Sequence, residues 1–352
     1  MEIVQIVPRF PPAISGVGDY ALLLARELRA SYEIDSRFVL AGGAHSSEAA
    51  NDFAVNVIRR QASSLIEALR GETIVCLHYV GYGYQKRGYP AWLAKGLRTW
   101  KYENGNSRLV TMFHEVFATG KIWNSSFWLS RFQRATARAI ASASDAVLTN
   151  RQAYAETLSQ FRPCLPAPVV IPVFSTVGEA SPTGECKKQA WLVVFGGDGW
   201  AHEAFTLHAD VIKTICDQLD IDRVVQIGSS DNYGFNYRPV DVKGVLPPGE
   251  ISGILRKCKA GFLSYYSGYL SKSTIFAAYC AHGVVPIFPA DNHSGRDQLF
   301  RGVHYLLPSD LRALDIRSTL SIVAGNIHEW YRDHDLKKTG AIFAETLTRS
   351  HG

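Results

Sequence analysis

The sequence predicts an α/β protein made of two doubly wound domains in tandem, and three observations support this fold class. First, the chain has 352 residues, of which 47% are hydrophobic and 20% charged, which suits two globular cores of ordinary size. Second, short runs rich in Val and Ile alternate with segments of helical periodicity, the pattern of a parallel sheet with helices on both faces. Third, one polar stretch interrupts this alternation, which then restarts.

The first domain is predicted over residues 1–174. In its first helix Val17, Ala21, Leu24 and Leu28 share one face. The predicted strands are 3–7, 36–41, 73–79, 108–114, 146–150 and 168–172. The predicted helices are 17–30, 61–70, 90–101, 126–143 and 151–160.

The second domain is predicted over residues 190–330, after a linker at 175–189 that is small, polar and interrupted by Pro and Gly. Its predicted strands are 190–197, 223–229, 241–246, 260–266 and 284–290, and its predicted helices are 202–219, 248–257 and 272–282. Residues 311–347 are typical of two helices, and we expect the last segment, 331–352, to pack back on the first domain. Ligands of such sheets bind outside the carboxyl ends of the strands, which predicts a cleft between the domains.

Charge and cysteine content narrow the functional classes. The net charge is only +5, but residues 84–138 carry ten Lys or Arg against two Glu, so nucleic-acid binding is not indicated and the partner of this positive charge should be local. None of the six cysteines forms a CxxC pair. We find no signal peptide and no membrane-spanning run, and expect a cytoplasmic protein.

We also expect the protein to contact an anionic membrane peripherally, at the inner face of that membrane. In the segment 90–101, Trp92, Leu93, Leu97 and Trp100 fall near one helical face, while the basic residues lie on the others. Interfacial helices pair apolar and basic faces in this way. The alternative is that these apolar side chains belong to the core.

The stretch "SGVGDYALLLARELR" (15–29) follows the first strand with two glycines before a helix. Free N–H groups at a helix start suit a phosphate, and Gly16 and Gly18 would allow it close to the backbone. An ordinary tight turn is the alternative. The stretch does not fit GxGxxG and no acidic residue ends the second strand, so a nicotinamide enzyme is disfavoured.

From this stretch onward the chain resembles the GT-B glycosyltransferases that build bacterial polysaccharides. "PRFPPAISGVGDYALLLARELR" is similar to the start of that family. "SASDAVLTN", "VVIPVFSTVG", "VKGVLPPGEISGILRKCKAGFLSYY" and "AAYCAHGVVPI" are similar to later family segments, in the same order along the chain. The resemblance implies two Rossmann-like domains and the metal-independent transfer of a sugar from a nucleoside-diphosphate sugar to an acceptor hydroxyl. The acceptor would be a carbohydrate or a lipid-linked sugar, in polysaccharide or glycolipid assembly, with no metal and no cofactor beyond the donor substrate.

The resemblance and the local chemistry together suggest a set of site residues. Lys272 and Ser273, at a predicted helix start, are expected to neutralise the donor diphosphate. We expect the remaining donor contacts at Gly16, Gly18, Gly196, Gly197 and Asp198, with Val245 and Leu246 at the nucleobase.

The expected catalytic residues are His114 and Glu115, at the end of a strand, and Asp19, which could instead cap the first helix. His78, Tyr79 and Tyr82 are expected to stack on the acceptor, although a Tyr-rich surface loop explains them equally well.

The chain also departs from the family. The two glutamates of the family's E-x7-E motif fall on Leu270 and Ala278, and residues 193–205 lack the usual Arg and Lys. Two alternatives therefore stay open. One is a sugar-nucleotide epimerase of the same fold, and the other is a non-catalytic sugar-nucleotide-binding partner of another transferase.

Overall fold

In a computed structural model the chain forms two compact units, Met1–Pro172 with Leu336–Gly352, and Val173–Asp335. The structure describes residues 1–10, 16–42, 52–117, 125–180, 187–290, 295–312 and 315–349, with only the backbone for 125–129. Pro11 and Pro12 of the first loop, and linker residues 181–186, lie outside the described residues.

The first unit contains a seven-stranded sheet with six helices from the same part of the chain. The strands are β1 (Glu2–Val7), β2 (Asp35–Ala41), β3 (Val55–Ile58), β4 (Ile74–Tyr79), β5 (Arg108–Phe113), β6 (Ala146–Thr149) and β7 (Val169–Val170). The helices are α1 (Gly16–Tyr32), α2 (Ala62–Ala68), α3 (Gly81–Tyr84), α4 (Ala91–Glu103), α5 (Ser125–Ala143) and α6 (Gln152–Phe161). All paired strands are parallel, in the order β3-β2-β1-β4-β5-β6-β7.

Strand burial explains the strong sequence signal of this sheet. Five of the six residues of β1, β4 and β5 are buried, because helices cover both faces of a parallel sheet. The sequence did not predict β3, whose sequence VNVI places Asn56 and Val57 in solvent at the sheet edge. Prolines at 168 and 172 bound β7, which is shorter than predicted.

The second unit contains a five-stranded parallel sheet. Its strands are β8 (Gln189–Phe195), β9 (Arg223–Ile227), β10 (Val240–Val242), β11 (Cys258–Phe262) and β12 (Val285–Ile287), in the order β10-β9-β8-β11-β12. Its helices are α7 (Asp198–Thr206), α8 (Ala209–Gln218), α9 (Pro248–Leu255), α10 (Thr274–Ala281) and α11 (Ile316–Arg332), with 3-10 turns at Ser267–Lys272, Arg296–Gln298 and Pro308–Arg312.

Two predicted elements of this unit differ from the structure. The single helix expected at 202–219 is divided into α7 and α8. The strand expected at 241–246 ends earlier because Gly244 has φ of +65°, which is outside the β region.

The last helix, α12 (Leu336–Thr348), belongs to the first unit. It packs against α1 so closely that a Cβ on Gly340 would lie 2.7 Å from Cγ of Glu27. Phe343 and Leu347 are buried in this contact, and Arg108 Nε donates to the carbonyl of Thr346 at 2.9 Å. The chain thus returns to its first domain after building the second.

The apolar face of α4 is part of the core. Leu93, Leu97 and Trp100 are almost fully buried, Trp92 is partly buried, and the indole N–H of Trp100 donates to the carbonyl of Leu69 at 3.1 Å. The expectation that this face contacts a membrane is therefore wrong. No helix in the described part of the chain combines the length and the apolar character needed to cross a bilayer.

Candidate functional site

The strand order of the first unit places a topological switch point at β1. From β1 the chain winds to β2 on one side, whereas β4 lies on the other side. At such a switch point the loops after the two central strands diverge and leave room for a ligand. The segments that follow β1 and β4 are the start of α1 and the start of α3.

Gly16 and Gly18 both lie in the first turn of α1, which begins one residue before the predicted helix start at 17. Gly18 is buried, and a Cβ there would lie 2.5 Å from the carbonyl oxygen of Arg9. Gly16 is exposed, and a Cβ there would meet nothing within 4 Å. Gly18 is thus required for packing, whereas Gly16 leaves the helix N-terminus open.

Asp19 lies in the first turn of α1 and is not its N-cap, because the helix begins three residues earlier. Its carboxylate has no hydrogen-bond partner among the described residues. Burial raises its pKa from 3.8 to about 6, the range in which a carboxylate can take and release a proton near neutral pH.

His114 follows β5 and is connected to a buried hydrogen-bonded chain of side chains. Its Nε2 lies 3.2 Å from Nδ1 of His78, whose Nε2 lies 2.8 Å from Oε1 of Gln5. The amide of Gln5 donates in turn to Oγ of Ser36 at 2.9 Å. This relay crosses the sheet from β5 through β4 and β1 to β2, and all four side chains are buried.

The relay assigns the tautomer of His78. Because Gln5 presents its carbonyl oxygen, His78 carries its proton on Nε2 and accepts on Nδ1. His114 must then donate to it from Nε2. Complete burial lowers the pKa of His78 from 6.5 to about 3 and keeps that ring neutral.

Tyr20 brings Asp19 and His114 to the same edge of the sheet. Its buried ring meets the His114 ring edge-on, with ring centres 5.0 Å apart, and Asp19 is the preceding residue. Asn150 Nδ2 donates to the carbonyl of His114 at 3.3 Å. Glu115, next in the chain, is partly buried.

His78 and Tyr79 have no exposed surface, and this does not agree with the expectation that they stack on an acceptor. In the structure His78 positions another ring. Tyr82 is 44% exposed, and its hydroxyl accepts from Gln133 Nε2 at 3.0 Å. Sequence patterns did not single out Gln5, Ser36 or Tyr20, because their partners are distant in sequence.

The second unit presents open backbone at the end of β8. Gly197 caps α7, and a Cβ on either Gly197 or Gly199 would meet nothing within 4 Å. Gly228, after β9, has φ of +94°, and a Cβ there would lie 2.5 Å from the carbonyl oxygen of Gly196. The start of α7 can therefore receive an anion, although the exposed carboxylate of Asp198 in its first turn opposes one.

The segment after β11 is attached to α7. Ser264 donates to Glu203, and the rings of Trp200 and Tyr265 lie 5.6 Å apart. Trp200 is 42% exposed, so it offers a ring at this edge. This segment leads into the 3-10 turn that carries Lys272.

Lys272 ends that turn and is partly buried, with its ammonium 5.2 Å from the centre of the Tyr269 ring. Ser273 has a role that was not predicted. It is the N-cap of α10, its Oγ accepts the N–H of Phe276 at 3.2 Å, and the residue is buried. One lone pair of its oxygen therefore serves the helix.

The remaining predicted donor contacts follow β10. Val245 is 71% exposed and Leu246 partly exposed, and Gly244 before them is fixed by a 2.7 Å bond from the Gly228 N–H. In contrast, Leu270 and Ala278, at the E-x7-E positions, are at most 1% exposed. Both side chains are packed in the core.

The part of the chain that the structure describes holds no cluster of three or more His, Cys, Asp or Glu side chains suited to a metal ion.

No protein-family model and no curated protein sequence matches the chain. Solved structures do share its fold. A GtfA/B complex aligns with a TM-score of 0.64, at 10% identity over 99% of each chain. The lipopolysaccharide outer core galactosyltransferase WaaB, in its apo form, aligns with a TM-score of 0.58, at 12% identity over 98% of this chain and 99% of that chain.

The UDP-GlcNAc 2-epimerase from Neisseria meningitidis, bound to UDP-GlcNAc, aligns with a TM-score of 0.57, at 11% identity over 99% of each chain. At such identities the likeness concerns the fold alone. The chain thus has the fold of the GT-B glycosyltransferases, with two Rossmann-like α/β units, and this fold is shared by sugar-nucleotide epimerases.

Proposed function

We propose that this protein is a sugar-nucleotide-dependent glycosyltransferase that acts in polysaccharide or glycolipid assembly. The observation that carries the proposal is the division of chemistry between the two units. Titratable groups lie at the switch point of the first sheet, and open helix N-termini with a lysine lie at the carboxyl edge of the second.

In this proposal the second unit binds the nucleoside diphosphate. Exposed Val245 contacts the base, and the N–H groups at the start of α7, with the Lys272 ammonium, face the diphosphate. The negative charge on the diphosphate grows as the bond to the sugar breaks, so fixed positive groups lower the barrier.

The first unit acts on the acceptor. The acceptor hydroxyl oxygen forms a bond to C1 of the donor sugar, the bond from C1 to the diphosphate oxygen breaks, and the nucleoside diphosphate leaves with that electron pair. Asp19 takes the hydroxyl proton, for which a pKa of about 6 suits it. His114 orients a sugar hydroxyl at the same edge, and Glu115 is a second carboxylate beside it.

Epimerisation is the second candidate, because epimerases are among the structures with this fold. A non-catalytic partner role is the third, and the burial of Leu270 and Ala278 favours it. Incubation with labelled nucleotide sugars and an acceptor extract separates the three. Transfer or slow hydrolysis supports the proposal, an isomerised sugar nucleotide without acceptor replaces it with epimerisation, and binding without turnover replaces it with the partner role.

The nucleotide can be identified first by thermal shift with UDP, GDP, ADP and TDP. A ligand at 100 times its Kd adds about 2.7 kcal/mol to the free energy of unfolding.

A further inference from the structure

The first unit carries an open groove between α4 and α5, with a volume of about 890 Å³. Five alanines, which we call its floor, and three aromatic residues, which we call its walls, are among the residues that line it: Ala91, Ala94, Ala135, Ala139, Ala143, Tyr89, Tyr102 and Phe132. On α4 this surface is opposite the face that packs into the core.

The aromatic walls are exposed to solvent. Tyr102 is 91% and Phe132 46% exposed, and the rings of Tyr89 and Phe132 lie 5.7 Å apart. A wide apolar groove with exposed rings at its rim suits an amphiphile whose chain lies along the alanine floor.

The rim of the groove is positively charged. Residues 84–103 and 130–143, which form it, contain eight Lys or Arg and one Glu. Seven of the eight are exposed and make no ion pair in the described part of the chain: Lys86, Arg87, Lys95, Arg98, Arg131, Arg134 and Arg138. Lys95 and Arg98 themselves line the groove.

From this combination we propose that the groove between α4 and α5 docks the protein on an anionic lipid surface, taking up a segment of a lipid chain while the rim cations contact the headgroups. The charge complementarity selects an anionic bilayer over a neutral one. The buried Trp100 face of α4 has no part in it, and the proposal is independent of any glycosyl transfer.

The test is co-sedimentation of the whole chain with vesicles of phosphatidylcholine, alone or with about 30 mol% phosphatidylglycerol. We expect binding to the anionic vesicles alone, weakened by salt. Each basic residue close to such a surface contributes roughly fivefold in the partition coefficient. The partition coefficient of the double variant Lys95→Glu/Arg98→Glu on anionic vesicles should therefore be at least about 25-fold lower than that of the wild type.

The matched control is Arg317→Glu/Lys337→Glu. It makes the same change in charge at exposed positions in the first turns of α11 and α12, where a glutamate suits the helix dipole. We expect the control to bind like the wild type within a few-fold. A third variant, Ala139→Phe, fills the groove without a change in charge and should weaken binding at every salt concentration.

Equal binding to neutral and anionic vesicles would overturn the proposal. A loss of vesicle binding by the control as large as that of Lys95→Glu/Arg98→Glu would also overturn it. Wild-type binding by Ala139→Phe would overturn the uptake of a lipid chain. A dimer that forms without lipid and is lost in the Lys95→Glu/Arg98→Glu variant would assign the groove to a second copy of the chain instead. Thermal melts of each variant exclude misfolding as the cause.

Discussion

The two units use glycine at their sheet edges for two different reasons, and each unit contains both cases. Gly18 in the first unit and Gly228 in the second are closed in by backbone, with a carbonyl oxygen 2.5 Å from where a Cβ would stand. Gly16 and Gly199 face open space. A glycine-rich sequence therefore does not by itself indicate a ligand, and only the open glycines are candidates for one.

The units also differ in the chemistry beside these glycines. The first unit holds a carboxyl group with a raised pKa and a buried histidine relay in which the His78 ring is kept neutral. The second holds open helix N-termini and Lys272. The proposed function depends on this difference between the two units.

Asp19→Asn should have the largest effect on catalysis. Loss of a positioned general base lowers the rate by about 10²- to 10⁴-fold. In the wild type, kcat/KM should rise with pH through about 6, as Asp19 loses its proton. Steady-state kinetics between pH 5 and 8 measure both effects. Wild-type turnover in the variant, with the same pH profile, would move the base to His114 or Glu115.

The raised pKa of Asp19 also makes the stability of the fold depend on pH. Its pKa of about 6 in the folded protein lies above the ordinary value of 3.8, so the native state binds the proton more tightly. The contribution of the Asp19 proton to the free energy of unfolding is fully present below about pH 4 and is lost as the pH rises through 6. Asp19→Asn should therefore raise the Tm at pH 7 more than at pH 4, partly offset by the favourable dipole at the start of α1.

Lys272→Ala tests the second unit. Loss of one preorganised charge at a leaving group typically lowers kcat by about 10²- to 10³-fold. Lys272→Arg should recover only part of the rate, because the guanidinium has a different shape and reach. Lys257→Ala removes an exposed lysine from the same unit and serves as the control. If Lys272→Ala keeps kcat within a few-fold, the N-termini of α1 and α7 bind the diphosphate without it.

Alanine substitutions test the difference between the enclosed glycines and the open glycines of the two units. Gly18→Ala and Gly228→Ala force a Cβ onto a carbonyl oxygen and should destabilise by about 2 kcal/mol or more. Gly16→Ala and Gly199→Ala should be neutral or stabilising by about 0.5–1 kcal/mol, since alanine favours a helix. Urea unfolding measures all four. The nucleotide-sugar affinity of Gly16→Ala and Gly199→Ala should also be measured. A loss of affinity without a loss of stability would show that the ligand closely approaches the backbone at that glycine.

Ser273→Ala should have the smallest effect, and on stability more than on activity. It removes the N-cap of α10, a loss of about 1 kcal/mol. Ser273→Asn keeps a capping oxygen and should retain most of that stability. A drop in kcat for the alanine variant as large as that of Lys272→Ala would return Ser273 to the phosphate site.

The sequence predicted the sheets better than the site. Hydrophobic periodicity identified β1, β4 and β5 because both their faces are buried, and the resemblance to GT-B enzymes agrees with the observed fold. It could not predict that His78 faces Gln5, since that pairing depends on the strand register across β1 and β4. Nor could periodicity decide whether the apolar face of α4 meets lipid or core, because both environments select the same residues.

The return of α12 to the first unit has a consequence for the order in which the protein is made. Phe343 of α12 lies parallel to the His78 ring, with centres 6.5 Å apart, and close to Tyr20. On the ribosome, the strands of the first unit emerge well before this covering residue exists. The second unit, continuous in sequence, can close as soon as it is synthesised. Until α12 is synthesised, the histidine relay lacks part of its surroundings, so the groups proposed to act on the acceptor become fully enclosed only after the second unit has been made.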